Sequence, residues 1–233
     1  MKIKDFLATV EESDPRPRTY SAKLFHTPRY REITTLVKQH VGGEIGILFD
    51  IGCGRGLFHD WLLEAGVEVG FYVGGDIDPS RLREVRGERI VHDAQHLPLR
   101  ERSVDCVLCS EVLEHLEKPL TAFGEQLRVS RNWLVLSFPR EELKNAIGFR
   151  YHEHISRINP SELKTFAKNR SFKLVASRKL RFAVPPSVFD RLFTFSWNRL
   201  RLFSTALRIL STLLGMMCLI EDCVLLFEKS EKT

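Results

Sequence analysis

Between Glu44 and Phe138 the chain alternates short apolar runs with stretches of helical character. "IGILFDI" leads into "GLFHDWLLEAG", "VGFYVGGDI" into "PSRLREV", "RIVHD" into a loop, and "VDCVLCS" into "KPLTAFGEQLRV"; "NWLVLSF" closes the series. Runs of Val, Ile and Leu bounded by Gly, Asp and Pro, with helices between them, mark βαβ units. Parallel strands need crossover connections, and the crossing helices cover both faces of the sheet. The pattern therefore predicts an α/β fold built on a mostly parallel sheet.

The flanks fit around that core. Residues 1–43 are polar and arginine-rich and read as a loop running into a helix. After Pro139 comes a loop, then a helix opened by "NPSEL" with Asn159 or Ser161 as its cap, then the strand "FKLVASRKLRF". "VPP" breaks the chain, a long helical region follows, and "EDCVLLFEKS" reads as a last strand. The 233 residues suffice for one large domain with a small appendage. The expected division is an N-terminal segment 1–43, a core 44–187, a helical cap 188–217, and a final strand with tail 218–233.

Composition excludes more than it selects. Apolar and charged fractions are those of a globular chain, not of a disordered or fibrous one. A net charge of +5, spread along the sequence, suits an anionic partner without naming one. Five cysteines do not make a disulfide framework. Cys106 and Cys109 fall three apart on a strand and so point to opposite faces, as core thiols rather than a redox or zinc pair. No long apolar segment stands near the N-terminus, and the expected location is the cytoplasm.

Chemistry concentrates in "LFDIGCGRG", Leu48–Gly56. A glycine-rich turn from a strand into a helix lets a polar ligand approach backbone N–H groups. A nucleotide-phosphate loop needs Lys-Ser/Thr after its last glycine, but Leu57 and Phe58 follow Gly56. A dinucleotide fingerprint needs two residues between its second and third glycines, and only Arg55 separates Gly54 from Gly56. The pattern D-x-G-x-G-x-G is met in full by Asp50, Gly52, Gly54 and Gly56. A tight turn with no ligand accounts for one glycine well and for three poorly. Further on, Asp76 ends the second strand, where a carboxylate can accept both hydroxyls of a ribose. Asp93 follows the third strand and "CSEVLEHL" ends the fourth.

These four motifs in order resemble the class I S-adenosylmethionine-dependent methyltransferases, in particular the ubiquinone- and menaquinone-biosynthesis subgroup. The resemblance covers roughly residues 44 to 170. It implies a Rossmann-like seven-stranded sheet of order 3-2-1-4-5-7-6, with the last strand antiparallel and S-adenosylmethionine as cofactor. It implies that Gly52, Gly54 and Gly56 pass under the methionine part, with Asp50 helping to hold the ammonium group. Asp76 would take the ribose hydroxyls, with Ile77 beside the adenine. Asp93 and Ala94 would face the adenine edge, and Ser110 and Glu111 the sulfonium end. Asp78, before Pro79, fits better as the cap of the next helix. The family's usual Pro-Gly-Gly turn before the fifth strand is replaced by "RVSRNW".

Methyl transfer is an in-line displacement of an activated group, so alignment and exclusion of water are the enzyme's main contributions. A base is needed only for a reluctant nucleophile. By the same resemblance His115 and His154 sit at the mouth of the site and are the base or acceptor-binding candidates, with Glu111 beside them. No metal is expected. The alternative set is Glu111, Glu114, His115 and His154. In it, Glu111, Glu114 and His115 share one face of a helical turn, and the set resembles the metal-dependent enzymes that methylate the 3′-terminal ribose of small RNAs.

The region Val188–Met217 carries apolar residues over more than half of a helical wheel, with Arg201 and Arg208 on the polar arc. Its uncharged stretch, 209–220, is too short to span a bilayer. A lid over an apolar acceptor, a homodimer interface and a basic helix lying on a membrane all fit, as do two short helices buried in a cap. The expected function is methyl transfer to an apolar or membrane-associated, lipid-like small molecule. RNA ribose methylation and a non-catalytic cofactor-binding partner subunit are the alternatives.

Overall fold

The computed structural model describes residues 20–140, 154–183 and 219–230. Seven strands form one sheet: β1 (Glu44–Ile51), β2 (Glu68–Asp76), β3 (Glu88–Val91), β4 (Val104–Ser110), β5 (Ser130–Arg140), β6 (Phe172–Ala183) and β7 (Leu219–Lys229). Their order is β3-β2-β1-β4-β5-β7-β6. The first five are parallel, and β7 runs antiparallel to both β5 and β6. This is the sheet and strand order that the resemblance implied. The cap expected at 188–217 lies outside the described residues.

Among the described residues four α-helices cover the sheet: α1 (Tyr20–His40), α2 (Leu57–Glu64), α3 (Pro119–Val129) and α4 (Pro160–Lys168). Alternate residues along each central strand feed opposite faces. Phe49, Ile51, Val107, Cys109, Leu134 and Leu225 join Phe123 of α3 and Leu163 of α4 in one apolar layer. Leu48, Cys106, Leu108, Val135 and Val224 join Ile33 and Leu36 of α1 with Phe58 and Leu62 of α2 in the other. Strands buried on both faces must read as continuous apolar runs, and these do. Cys106 and Cys109 thus sit in different layers, as buried thiols.

Local signals behave unevenly. Asn159 caps α4, accepting from the Ser161 N–H at 2.9 Å, with Pro160 at the first helical position. "PSRLREV" is not the helix its pattern suggested. Only a 3₁₀ turn forms, Arg81–Glu84, between Pro79 and Gly87. Asp78 accepts the Ser80 N–H at 2.9 Å, but Ser80 rather than Asp78 stands at the cap of that turn. In "RVSRNW" the chain leaves α3 at Val129 and enters β5 at Ser130 without a loop. The Ser130 hydroxyl donates to the Trp133 carbonyl at 2.8 Å and fixes the corner.

α1 docks through one buried cation as well as through Ile33 and Leu36. Arg29 places a guanidinium nitrogen 2.5 Å from Asp222 of β7 and 3.2 Å from Glu111 at the end of β4. Burial opposes the charge, but the two carboxylates outweigh it and hold the pKa above the ordinary arginine value. A buried ion left alone costs far more than the pair gains. Arg29→Met should therefore lower unfolding free energy by about 3–5 kcal/mol in urea melts, and Arg29→Met with Asp222→Leu should recover part of the loss. A double variant no more stable than the single one would mean that burial of an unpaired charge is not the cause.

Candidate active site

The glycine loop leaves β1 at the carboxyl ends of the parallel strands, where the order reverses between β2 and β4. Open α/β sheets bind ligands at this switch point. Gly52, Gly54 and Gly56 all have left-handed backbones, at φ 67°, 54° and 76°. Their requirements differ. A Cβ on Gly52 would come within 2.3 Å of Val112, so this position is closed by packing. A Cβ on Gly54 would meet nothing within 4 Å, so that backbone borders open space.

Asp76 ends β2 and is 5% exposed, yet its carboxylate belongs to the loop. Oδ2 accepts the Gly54 N–H and Oδ1 the Asp78 N–H, both at 3.0 Å. A carboxylate offers about four acceptor positions, and two remain for a ligand's donors. Ile77, next along, is 73% exposed. Asp93 follows β3 and takes the Gln95 N–H at 2.8 Å, the bond that chiefly holds its pKa down. The Ala94 side chain is buried in the apolar layer that also holds Phe49 and Val73, which leaves its backbone for a ligand. An acid with spare acceptor positions, an exposed apolar residue beside it and open space above Gly54 fit a ligand carrying hydroxyl and amino donors with a flat base. S-adenosylmethionine has all three.

Asp50 lies below the loop, 1% exposed, and accepts the Tyr72 hydroxyl at 2.7 Å. Burial pushes its carboxyl up to about 7, against the Tyr72 bond, which lowers it. Tyr72 is a partner that the sequence did not single out.

The other side of the crevice is built from β4 and the segment before α4. The Ser110 and Ser137 hydroxyls are 2.7 Å apart, and Ser137 also donates to Glu111. Glu111 has a left-handed backbone, φ 56°, so the chain turns sharply there. A separate 3₁₀ turn, Leu113–His115, follows. The helical face expected to join Glu111, Glu114 and His115 therefore does not form, and Arg29 holds Glu111 instead. His115 and His154 do come together, their rings edge to face with centroids 4.9 Å apart. Donor atoms of Glu114, His115 and His154 all lie within 4.8 Å of one another. Glu114 is buried, and that burial, reinforced by Glu111, holds its carboxyl well above the usual range.

Arg29 and Asp222 escaped sequence reasoning because 193 positions separate them.

The Asp50 shift has a pH consequence. The folded chain keeps a proton between pH 4 and about 7 that the unfolded chain has released, so stability falls as pH rises across that window. At about 1.4 kcal/mol per pKa unit, the loss reaches about 4 kcal/mol by pH 7. Asp50→Asn cannot ionise. Urea unfolding at pH 4.5 and 7.5, without cofactor, should show the variant gaining on the wild type at the higher pH; an unchanged difference would mean Asp50 is already ionised in the folded chain.

Comparison with known proteins agrees with this geometry. A family model described as a methyltransferase domain matches residues 49–133, from the middle of β1 into β5. A ubiquinone biosynthesis O-methyltransferase of Hydrogenovibrio crunogenus is 27% identical over 154 residues, covering 57% of this chain and 64% of the relative. The match thus spans less than two thirds of that relative's length. One of the same name from Azoarcus sp. is 24% identical over 174 residues, covering 62% of this chain and 73% of that protein. Among solved structures, magnesium protoporphyrin IX methyltransferase from Synechocystis PCC 6803 with bound SAH superposes with a TM-score of 0.62, covering 98% of this chain and 95% of that one at 15% identity. Residues 49–133 thus carry a methyltransferase domain, in a sheet whose strand order and glycine loop are those expected of a class I S-adenosylmethionine-dependent methyltransferase.

Proposed function

We propose that the chain transfers the sulfonium methyl of S-adenosylmethionine to an apolar small molecule, with the hydroxyl oxygen of that molecule as acceptor. The observation that carries the donor half is the Asp76 carboxylate, buried at the end of β2 and tied to the Gly54 amide, with acceptor positions to spare. Asp76 takes the ribose hydroxyls, and Ile77 lies along the adenine. Asp93 and the Ala94 backbone meet the adenine edge. The Gly52–Gly56 loop, with Asp50 beneath it, cradles the methionine end. Ser110 and Glu111 stand toward the sulfonium.

The bound cofactor supplies a methyl already activated for displacement. The protein's share is to align the acceptor in line with the carbon–sulfur bond, to keep water out, and to take the acceptor's proton. His115 and His154 are the groups for the last task. The support for an apolar, oxygen-bearing acceptor is the likeness to proteins named ubiquinone biosynthesis O-methyltransferases. Residues 188–217, whose apolar arc suggested a lid, a dimer interface or a membrane contact, lie outside the described residues. Among the described residues, no helix is long and apolar enough to cross a membrane.

Asp76→Ala should weaken cofactor binding at least a hundredfold by calorimetry, because two charge-assisted hydrogen bonds of about 1.5–3 kcal/mol each are removed. Unchanged affinity would remove Asp76 from the site. His154→Ala should lower the rate of labelled methyl incorporation into lipid extract and leave cofactor affinity within about threefold; loss of both together with thermal stability would make the histidine structural. Label entering RNA or protein instead would overturn the apolar acceptor.

A further inference from the structure

We infer that Glu111 is the residue by which the protein tells fresh cofactor from spent. Its carboxylate, fixed at the rim beside the glycine loop, favours the sulfonium of S-adenosylmethionine over the neutral thioether of S-adenosylhomocysteine. The inference rests on the proposed cofactor reading and gives one side chain within it a specific task.

Glu111 is held where a glutamate does not settle unaided. Its backbone is left-handed, φ 56°, a conformation unfavourable for any residue with a side chain. Such strain persists only where the surroundings over-determine it, and it gathers at functional sites. Here β5 and α1 supply the hold. The Glu111 N–H donates to the Ser137 carbonyl at 2.9 Å, and the Ser137 hydroxyl donates to Oε1 at 3.3 Å. Arg29 stands 3.2 Å from Oε2, and at 2.5 Å it is closer still to Asp222, so two carboxylates share its charge. The Asp222 side chain is 2% exposed and that of Glu111 23%. Glu111 is thus the carboxylate of this pair that a ligand can reach.

Its neighbours place it along the ligand. The strand order sets out Asp93 after β3, Asp76 at the end of β2, the glycine loop after β1 and Glu111 after β4. A Cβ on Gly52 would come within 2.3 Å of Val112, so the turn that carries Glu111 lies against the loop. The cofactor is itself a chain of adenine, ribose, sulfur and amino acid. With adenine at Asp93 and ribose at Asp76, the sulfur comes next, over β1 and toward β4.

Methyl transfer removes the methyl carbon from sulfur and leaves the bonding electron pair behind. Sulfur enters the reaction as a cation and ends it neutral, while the ammonium and carboxylate of the cofactor keep their charges. A fixed carboxylate near that atom attracts the donor and loses the attraction once the methyl has gone. Coulomb attraction in a half-buried site acts over several ångströms, so no direct bond to sulfur is required. The effect favours exchange of spent cofactor for fresh.

The test is calorimetry on the full chain with S-adenosylmethionine, S-adenosylhomocysteine and sinefungin, which carries an ammonium in place of the sulfonium. Glu111→Gln keeps the shape and removes the charge. It should weaken both cationic ligands at least fivefold relative to S-adenosylhomocysteine, whereas Glu111→Asp should hold the wild-type ratio. Glu44→Gln, exposed at the opposite end of β1, should leave all three affinities unchanged. Equal weakening of the three ligands by Glu111→Gln, or no change in any, would overturn the inference. A measurement on the wild type needs no variant to fold: the preference for cationic ligands should shrink as salt rises from about 0.05 to 0.5 M, and a ratio flat in salt would also overturn it. If none of the three binds the wild type, the cofactor reading itself falls; if all bind and the ratio ignores Glu111→Gln, only the present inference does.

Discussion

The bond from the Gly54 amide to the Asp76 carboxylate ties the glycine loop after β1 to the end of β2, and the rest of the site is arranged around it. That bond exists because β1 and β2 are parallel neighbours, so their carboxyl ends emerge side by side. On the other flank of β1 lies β4, which brings Ser110 and Glu111 to the same rim. A reversal of strand order at β1 thus opens a crevice with a donor-accepting acid on one side and the acceptor groups on the other. Antiparallel order would have sent half of these residues to the opposite edge.

Electrostatics divides the rim into three zones. Below the loop, Asp50 is buried against Tyr72 and its carboxyl is raised to about 7. At the donor side, Asp93 is held below its ordinary value, first by the Gln95 backbone amide, so it presents a charge to a ligand. Across the crevice, Arg29 pairs with Glu111 and Asp222, while neither carboxylate oxygen of Glu114 has a hydrogen-bond partner among the described residues. The arginine comes from α1, outside the sheet. The N-terminal helix is thereby coupled to the end of β4 through an ion pair rather than through packing alone.

Much of the fold was legible in the sequence because it depends on local periodicity. The apolar runs from Ile45 to Phe138 could only be buried on both faces, and the antiparallel last strand followed from the resemblance. Asn159 was readable as a cap because a cap is decided within three residues. What failed involved competition between local preference and distant contacts. "PSRLREV" has helical spacing, but between Pro79 and Gly87 it closes only a 3₁₀ turn. Glu111, Glu114 and His115 stand at helical spacing, but a left-handed residue at Glu111 splits them. The burial of Glu114 and the reach of Arg29 to Asp222 have no local signature at all.

The account stands on the claim that the crevice between the glycine loop, Asp76 and Asp93 is the cofactor site. Amide NMR of ¹⁵N-labelled protein titrated with S-adenosylhomocysteine tests it residue by residue. The account predicts saturable shifts at Gly52, Gly54, Ile77, Ala94 and Glu111, with α4 and the β6–β7 pair undisturbed. Shifts confined to other parts of the sheet, or no saturable shift at all, would contradict it.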